Sequence, residues 1–332
     1  MKIVDLHCDT ISRLYYEKGV KEQSKLRKNA LHIDLEKLSE GDYLLQNFAV
    51  YVPLKEVKDP FETAMKMMDR YYLELEENRD QISPVYRYPD IARNSAHKKI
   101  SSLLTIEEGG VFKGELEFIR MFYRLGVRMV ALTWNYENEI GAPNIVYGEG
   151  GRPEYQKRSG KGLTEFGVMA VQEMERLGMI VDVSHLSDGG FWDVIKHTAK
   201  PFVASHSNAA AICNVSRNLT DDMIRALAER GGVMGINFFE NFLREGAAAE
   251  STKHPCGRIA DMIAHVKHIT NIGGIEVCAI GSDFDGIRGN PEIQNAAQMQ
   301  NFVTALRKAG FTWRESEQIC YKNALRIYQE VL

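Results

Sequence analysis

The sequence predicts a single α/β domain folded as a (β/α)8 TIM-type barrel, with a metal site at the C-terminal ends of the barrel strands. Eight short apolar segments alternate with amphipathic helical segments, and no linker or low-complexity stretch divides residues 1–332. Such alternation favours a parallel sheet, and eight units are what a closed barrel requires. Histidine or acidic residues follow five of the eight apolar segments, where barrel enzymes carry their catalytic groups.

The expected strands are short and are separated by segments with helical periodicity. Polar loops at 18–29 and 140–161 are expected to lie over the strand ends; the second is rich in Gly and Pro and reads as an insertion. The strands are expected at 3–9, 44–52, 102–106, 127–133, 179–183, 202–205, 232–238 and 277–281.

Composition excludes several classes of protein. Hydrophobic residues make up 44% and charged residues 26%, which is typical of globular proteins. The net charge of −4 gives no reason to expect nucleic acid or an anionic membrane as a partner. No apolar run approaches the roughly 18 residues of a membrane span, and no secretory segment is predicted. The five cysteines are dispersed without a CxxC pair, which predicts reduced thiols in a cytoplasmic protein.

The residues after the strands form a candidate metal site. His7 and Asp9 lie two apart in an extended segment, so their side chains point to the same side. Imidazole and carboxylate ligands suit zinc, and also manganese, iron or cobalt. The candidates are His7, Asp9, Glu107 or Glu108, His185, His206, and Asp283 or Asp285.

This set is larger than one tetrahedral ion needs. Two divalent ions bridged by one carboxylate and by a hydroxide account for the surplus. Because metal binding lowers the pKa of water to about 7, the bridging hydroxide would be a nucleophile near neutral pH.

Six motifs then resemble the membrane (renal) dipeptidase family of metallopeptidases, which belongs to the amidohydrolase superfamily. The resemblance extends over nearly the whole chain, and the motifs occur in the family's order at similar spacing. They are Asp5-Leu6-His7-Cys8-Asp9-Thr10, Ile106-Glu107-Glu108-Gly109-Gly110, Asp182-Val183-Ser184-His185, Ser205-His206-Ser207, Ser216-Arg217-Asn218 and Gly281-Ser282-Asp283-Phe284-Asp285-Gly286.

The resemblance implies a binuclear zinc dipeptidase. In the family's pattern, His7 and Asp9 bind the first ion, Glu107 bridges both ions, and His185 and His206 bind the second. Counting forward without a gap to residues 123–128 favours Glu107 as the bridge over its neighbour Glu108.

The resemblance also implies how a dipeptide is held and cleaved. Arg217 would bind the free carboxylate of the dipeptide, for which its bidentate fork is suited. Asp283 would carry the proton from the attacking water to the leaving amine, and Asp285 would shape the following turn. The family's tolerance extends the substrates to dipeptides with a C-terminal D-residue, and the resemblance suggests a homodimer.

One position departs from the family pattern. Better-known members carry a histidine that contacts the substrate at the end of the fourth strand, where this chain has Trp134 followed by Asn135. Asn135 is the candidate to donate a hydrogen bond to the developing oxyanion.

Two other functions compete with hydrolysis of dipeptides. One is another amidohydrolase reaction, on a small carboxylate-bearing amide or lactone. The other is a metal-stabilised scaffold without activity. The presence of every ligand-type residue and of the candidate proton carrier argues against it.

Overall fold

The computed structural model describes residues 1–16, 25–151, 153–247 and 256–332. The expected loop 18–29 lies largely outside the described residues. The strands are β1 (Ile3–Asp5), β2 (Tyr43–Tyr51), β3 (Ile82–Pro84), β4 (Ile100–Glu107), β5 (Val127–Ala131), β6 (Val146–Tyr147), β7 (Pro153–Glu154), β8 (Ile180–Asp182), β9 (Val203–Ala204), β10 (Val233–Ile236) and β11 (Cys278–Ile280).

Eight of these strands close into a parallel barrel, which confirms the predicted (β/α)8 fold. Their order around the barrel is β1, β2, β4, β5, β8, β9, β10 and β11, and the pairing of β1 with β11 completes the ring. Each expected strand matches one of them. The short β3 pairs with β4 outside the ring. The segment 140–161 holds the small antiparallel pair β6 and β7.

The helices between the strands cover the outside of the barrel, and their apolar faces pack on the outward-facing strand residues. Every helix of the described residues is too short or too polar to cross a bilayer. The helices are α1 (Thr10–Tyr16), α2 (Leu35–Glu40), α3 (Pro60–Glu77), α4 (Pro89–Ala96), α5 (Leu116–Arg124), α6 (Glu165–Leu177), α7 (Asp188–His197), α8 (Asp221–Glu229), α9 (Glu240–Leu243), α10 (Ile259–Gly273), α11 (Gln300–Lys308), α12 (Trp313–Glu317) and α13 (Asn323–Val331).

Apolar side chains fill the N-terminal end of the barrel, which we call the floor. Each of the eight barrel strands contributes one buried residue to this cluster, and α13 packs against it through Ile327 and Tyr328. The Tyr328 hydroxyl donates to Asn47 Oδ1 at 2.8 Å, so the one polar group of this contact is satisfied. The layer comprises Val4, Leu45, Leu103, Met129, Ile180, Val203, Val233 and Ala279.

The first strand is shorter than expected, because a side chain replaces its ladder bonds. β1 ends at Asp5 rather than at residue 9. The Asp5 carboxylate accepts from the Ser282 backbone N–H at 2.9 Å and from the Ser282 hydroxyl at 2.6 Å. It also accepts from the His7 backbone N–H at 3.2 Å. This buried carboxylate thus links the end of β1 to the end of β11. It also fixes the position of the His7 backbone.

Candidate active site

Five barrel strands deliver histidine and acidic side chains to the C-terminal end of the barrel, which we call the mouth. The position of catalytic groups at barrel strand ends predicts that these residues converge, and the structure brings all of them together. Asp283 is partly exposed and the others are buried. They are His7 and Asp9 after β1, Glu107 at the end of β4, His185 after β8, His206 after β9 and Asp283 after β11.

Glu107 stands at the centre of this cluster. Its Oε1 lies 3.1 Å from His185 Nε2 and 3.5 Å from His206 Nε2, while its Oε2 lies 3.6 Å from His7 Nε2. His7 Nε2 is also 3.3 Å from Asp9 Oδ2. One carboxylate therefore reaches two histidines with one oxygen and a third with the other, as a bridging ligand must.

Hydrogen bonds on the far side of two rings set their orientation. His206 Nδ1 lies 2.7 Å from Ser205 Oγ, which donates to Asp182 Oδ2 at 2.5 Å. His185 Nδ1 lies 3.0 Å from Asn135 Oδ1. These acceptors hold the proton on Nδ1 of each ring and leave the Nε2 lone pairs facing Glu107, which is the arrangement found around metal-binding histidines.

The donor set fits a metal ion. The Nε2 atoms of His185 and His206 are 3.0 Å apart, and two lone pairs at that separation need a cation or a proton near them. Asp9 Oδ1 is buried and has no hydrogen-bond partner among the described residues. Two groups of three could each hold an ion, namely His7 with Glu107 and His206, and His7 with Asp9 and Asp283.

Burial shifts the pKa values of four groups in the cluster. Burial, reinforced by the charge of Asp9, raises the pKa of Glu107 to about 8. Burial raises the pKa of Asp283 to about 6. Burial also lowers the pKa values of His185 and His206 well below the usual range, so these rings are neutral. The two neutral imidazoles beside crowded carboxyl groups form a donor set that a cation would complete.

The backbone around the mouth adopts conformations that non-glycine residues rarely take. The φ angle is 69° at His185 and 62° at Asp283. Such left-handed conformations cost free energy and are typical of functional sites. They turn both side chains inward directly after their strands end.

Of the two adjacent glutamates, the structure places Glu107 in the cluster and Glu108 away from it. Glu108, with φ of 124°, accepts from the Gly110 backbone N–H at 2.7 Å and from Asn138 Nδ2 at 2.5 Å. It also accepts from the Trp134 backbone N–H at 3.1 Å. Glu108 thus organises the loop that carries Trp134.

The two aspartates after β11 divide in the same way. Asp283 Oδ1 lies 3.9 Å from His7 Nε2. Asp285 accepts from the Thr10 hydroxyl at 2.6 Å and from the His32 backbone N–H at 2.7 Å. Asp283 thus faces the cluster, whereas the Asp285 side chain bonds to Thr10 and His32; that it shapes its own turn stays a prediction.

Arg217 is buried beside the cluster with much of its hydrogen-bonding capacity unused. Its two Nη atoms make long contacts, 3.4 Å to Ser207 Oγ and 3.3 Å to the His206 carbonyl. Its Nε has no acceptor among the described residues, and its Cζ lies 5.3 Å from the centre of the Phe242 ring. Burial lowers the pKa of Arg217 to about 10, so the side chain stays charged at neutral pH.

Two residues at the mouth were missed from the sequence. Asn237, directly after β10, donates from Nδ2 to Asp283 Oδ2 at 2.9 Å. Tyr51, the last residue of β2, pairs in register with Glu107. Asn237 breaks an apolar run at a predicted strand end, and that signal could have identified it. Tyr51 gave no such signal, because tyrosine is common in strands.

The closed barrel and the imidazole–carboxylate cluster at its mouth define the class of metal-dependent hydrolases built on a (β/α)8 barrel. Residues 1–332 match the family model for membrane dipeptidase (peptidase family M19), and the chain belongs to this family. It is therefore a dipeptidase of a metallopeptidase family.

Curated relatives agree with this membership. A protein of Klebsiella pneumoniae described as an uncharacterized protein in the pqqA 5′ region is 34% identical over 242 residues, covering 73% of this chain and 86% of the relative. An uncharacterized dipeptidase of Schizosaccharomyces pombe is 28% identical and covers 99% of this chain and 80% of the relative.

Solved structures share the fold over the full length. The dipeptidase AC, described as a metallopeptidase of family M19, has a TM-score of 0.88 at 25% identity, covering 100% of this chain and 98% of the other. A metallopeptidase from Rhodobacter sphaeroides has a TM-score of 0.90 at 24% identity, covering 100% and 99%. That structure contains a phosphinate mimic of the dipeptide L-Ala-D-Ala.

Proposed function

We propose that this dipeptidase uses two divalent metal ions, Zn²⁺ in the native protein, to hydrolyse the peptide bond of free dipeptides. The observation that carries the proposal is the buried Arg217, whose unfilled donors lie beside the ligand-type cluster. A buried cation with unsatisfied N–H groups is costly unless a ligand completes it, and a carboxylate matches its fork.

The chain's own residues divide the two ions between them. In the proposal, His7 and Asp9 hold the first, Glu107 holds both, and His185 and His206 hold the second. Bound there, the two ions would supply Lewis-acid polarisation of the scissile carbonyl and would lower the pKa of the attacking water.

Asp283 is the proposed proton carrier. Its Oδ1 lies 3.9 Å from His7 Nε2, where the carboxylate could accept a proton from water and return it to the leaving amine. The Asn237 amide fixes one of its oxygens. Arg217 holds the dipeptide's carboxylate, and the buried mouth keeps bulk water away from the reacting bond.

Asn135 is the proposed donor to the developing oxyanion. Its Oδ1 is engaged by His185, while its Nδ2 has no acceptor among the described residues. The amide N–H group is therefore available to substrate.

Three finer features complete the proposal. Acceptance of a C-terminal D-residue is supported by family membership, and the Rhodobacter sphaeroides protein is itself bound to an L-Ala-D-Ala mimic. A cytoplasmic location is supported by the five free cysteines. The proposal of a homodimer rests on the family resemblance alone. Light scattering of the purified protein, which gives its molar mass in solution, tests it.

The test is release of free amino acids from L-Ala-L-Ala, L-Ala-D-Ala and L-Ala-L-Ala amide, with metal content determined by mass spectrometry. We expect two ions per chain, hydrolysis of both dipeptides, and loss of activity on chelation with recovery on adding Zn²⁺. The amide lacks the carboxylate and should react poorly. Hydrolysis of N-acyl or cyclic substrates in place of free dipeptides would favour the other amidohydrolase reaction.

A further inference from the structure

The side of the mouth across from Arg217 is lined by aromatic rings. Arg217 contacts residues that follow β9, and in the eight-membered ring β2 stands opposite β9. Tyr51 ends β2, and Trp134 follows β5 two strands further along. A dipeptide whose carboxylate is held by Arg217 therefore extends its N-terminal residue toward this side.

We call Tyr51, Trp134, Tyr136 and Tyr147 the aromatic wall. Its rings form a continuous series, with centroids 4.8 Å apart for Tyr51 and Trp134 and 5.9 Å for Trp134 and Tyr136. Tyr136 and Tyr147 are stacked at 5.7 Å with an angle of 12°. The wall begins at the cluster, because the Trp134 ring is 6.2 Å from that of His185.

A lysine lies on the outer part of this wall. Lys55 Nζ is 3.9 Å from the centre of the Tyr136 ring and 5.8 Å from that of Tyr147. These contacts hold the ammonium group over the aromatic faces. Within the part of the chain that the structure describes, no carboxylate lies within ion-pair distance of Lys55, whereas Glu137 of the neighbouring loop is paired with Lys161.

We propose that the aromatic wall with Lys55 is the subsite for the N-terminal side chain of the substrate, and that it selects dipeptides whose N-terminal residue is acidic. This inference rests on the proposed function. Arg217 binds the main-chain carboxylate at one side of the mouth, and Lys55 binds a side-chain carboxylate at the other. The rings cover the methylene groups between them, and a glutamate side chain, longer than that of aspartate, suits the outer position of Lys55.

Charge is what separates this class of substrate from others of the same shape. An N-terminal glutamine has nearly the size of glutamate and packs equally on the wall, but it does not neutralise Lys55. The contrast between glutamate and glutamine therefore isolates Lys55 from the apolar contribution of the rings.

The experiment compares kcat/KM for L-Glu-L-Ala and L-Gln-L-Ala in the metal-loaded enzyme and in Lys55→Gln. We expect the wild type to prefer the glutamyl substrate about twofold to fivefold, as an ion pair with the exposed Lys55 would produce. In Lys55→Gln the ratio should fall to about one, and in Lys55→Glu it should invert. Lys58→Gln, an exposed lysine of the same loop for which no wall contact is found among the described residues, should keep the wild-type ratio.

The outcomes separate the inference from the proposed function. Hydrolysis of L-Ala-L-Ala with a glutamyl-to-glutaminyl ratio near one, or with a ratio that Lys55→Gln leaves unchanged, would overturn the inference alone. Absence of hydrolysis for all three dipeptides in the metal-loaded wild type would overturn both. Because the readout is a ratio within each variant, a general loss of folded enzyme does not imitate the expected result.

Discussion

The two ends of the barrel interior are built from the same strands yet differ in chemistry. At the floor, one apolar residue from each strand packs against α13, and the Tyr328 hydroxyl is satisfied by Asn47. At the mouth, the Glu107 carboxyl group and the ring nitrogens of His185 and His206 are buried 3.0 to 3.5 Å from each other. The floor stabilises the fold, and the mouth is tolerated because of that stability.

The difference shows how a barrel separates folding from chemistry. The floor uses dispersion and hydrophobic burial, which require only suitable size and shape. The mouth uses charges, whose free energy depends on partners that the chain alone does not supply. Substitutions at the two ends should therefore affect different measured quantities.

The largest effect is expected at the proton carrier. Asp283→Asn should keep both metal ions and lower kcat by about 10³-fold, because the amide cannot transfer the proton. Metal analysis and steady-state kinetics on the purified variant check this. Asp285→Asn is the control variant on the same turn. Near-normal turnover in Asp283→Asn would contradict the prediction and make Asp285 the candidate proton carrier.

The second-largest effect is a loss of stability on substitution at the floor. Ile327→Ala should lower the free energy of unfolding by about 2–4 kcal/mol, since it leaves a cavity in the apolar layer. Denaturant unfolding measures the loss, and kcat/KM of the folded fraction should stay at the wild-type value. Gln329→Ala, on the exposed side of α13, is the control. A fall in kcat/KM for Ile327→Ala would mean that the two ends are not independent.

The third effect concerns substrate binding at the mouth. Arg217→Ala should raise KM for L-Ala-L-Ala about 10- to 100-fold while the metal content remains two ions per chain, because a charged hydrogen-bonded pair is lost. Arg217→Lys should recover part of the affinity, as it keeps the charge but not the fork. If Arg217→Ala lost metal content as strongly as substrate affinity, Arg217 would support the fold rather than bind the substrate.

The smallest effect concerns how much the burial of Glu107 at the mouth lowers the free energy of unfolding. The folded-state pKa of Glu107, about 8 against 4.5, means that its contribution to stability is complete below pH 4.5 and is lost as pH rises through 8. Metal-free Glu107→Gln should therefore exceed metal-free wild type in unfolding free energy at pH 8, by on the order of 1–3 kcal/mol.

The advantage should shrink toward pH 4.5, where the wild-type carboxyl is protonated. Zinc should raise the melting temperature of the wild type much more than that of Glu107→Gln. A metal-free wild type that equals the variant at every pH would show that burial of Glu107 carries no such cost.

Much of the fold could be predicted from the sequence. The eight strands were identified because buried parallel strands read as apolar runs between helical segments. Their lengths were not predictable, because β1 ends where the Asp5 carboxylate bonds to Ser282, a residue far away along the chain. The convergence of His7, Asp9 and Glu107 followed from the barrel rule for strand ends.

Other features of the mouth depended on contacts that no local pattern contains. The motif spacing favours Glu107, but the reason Glu108 lies aside is visible only in the structure: its φ is 124°, and Asn138 and Trp134 donate to its carboxylate. Tyr51 was missed because its place at the mouth comes from the register of β2 with β4. A tyrosine at a strand end carries no signal of its own.

The order of strands, helices and polar strand ends belongs to the sequence by itself, because the spacing of apolar residues is a local property that backbone geometry converts into structure. The tertiary structure alone decided which acceptors orient the histidines and that Lys55 lies against two tyrosines. Those outcomes are contacts between residues distant along the chain, and their free energies exist only once the barrel has closed.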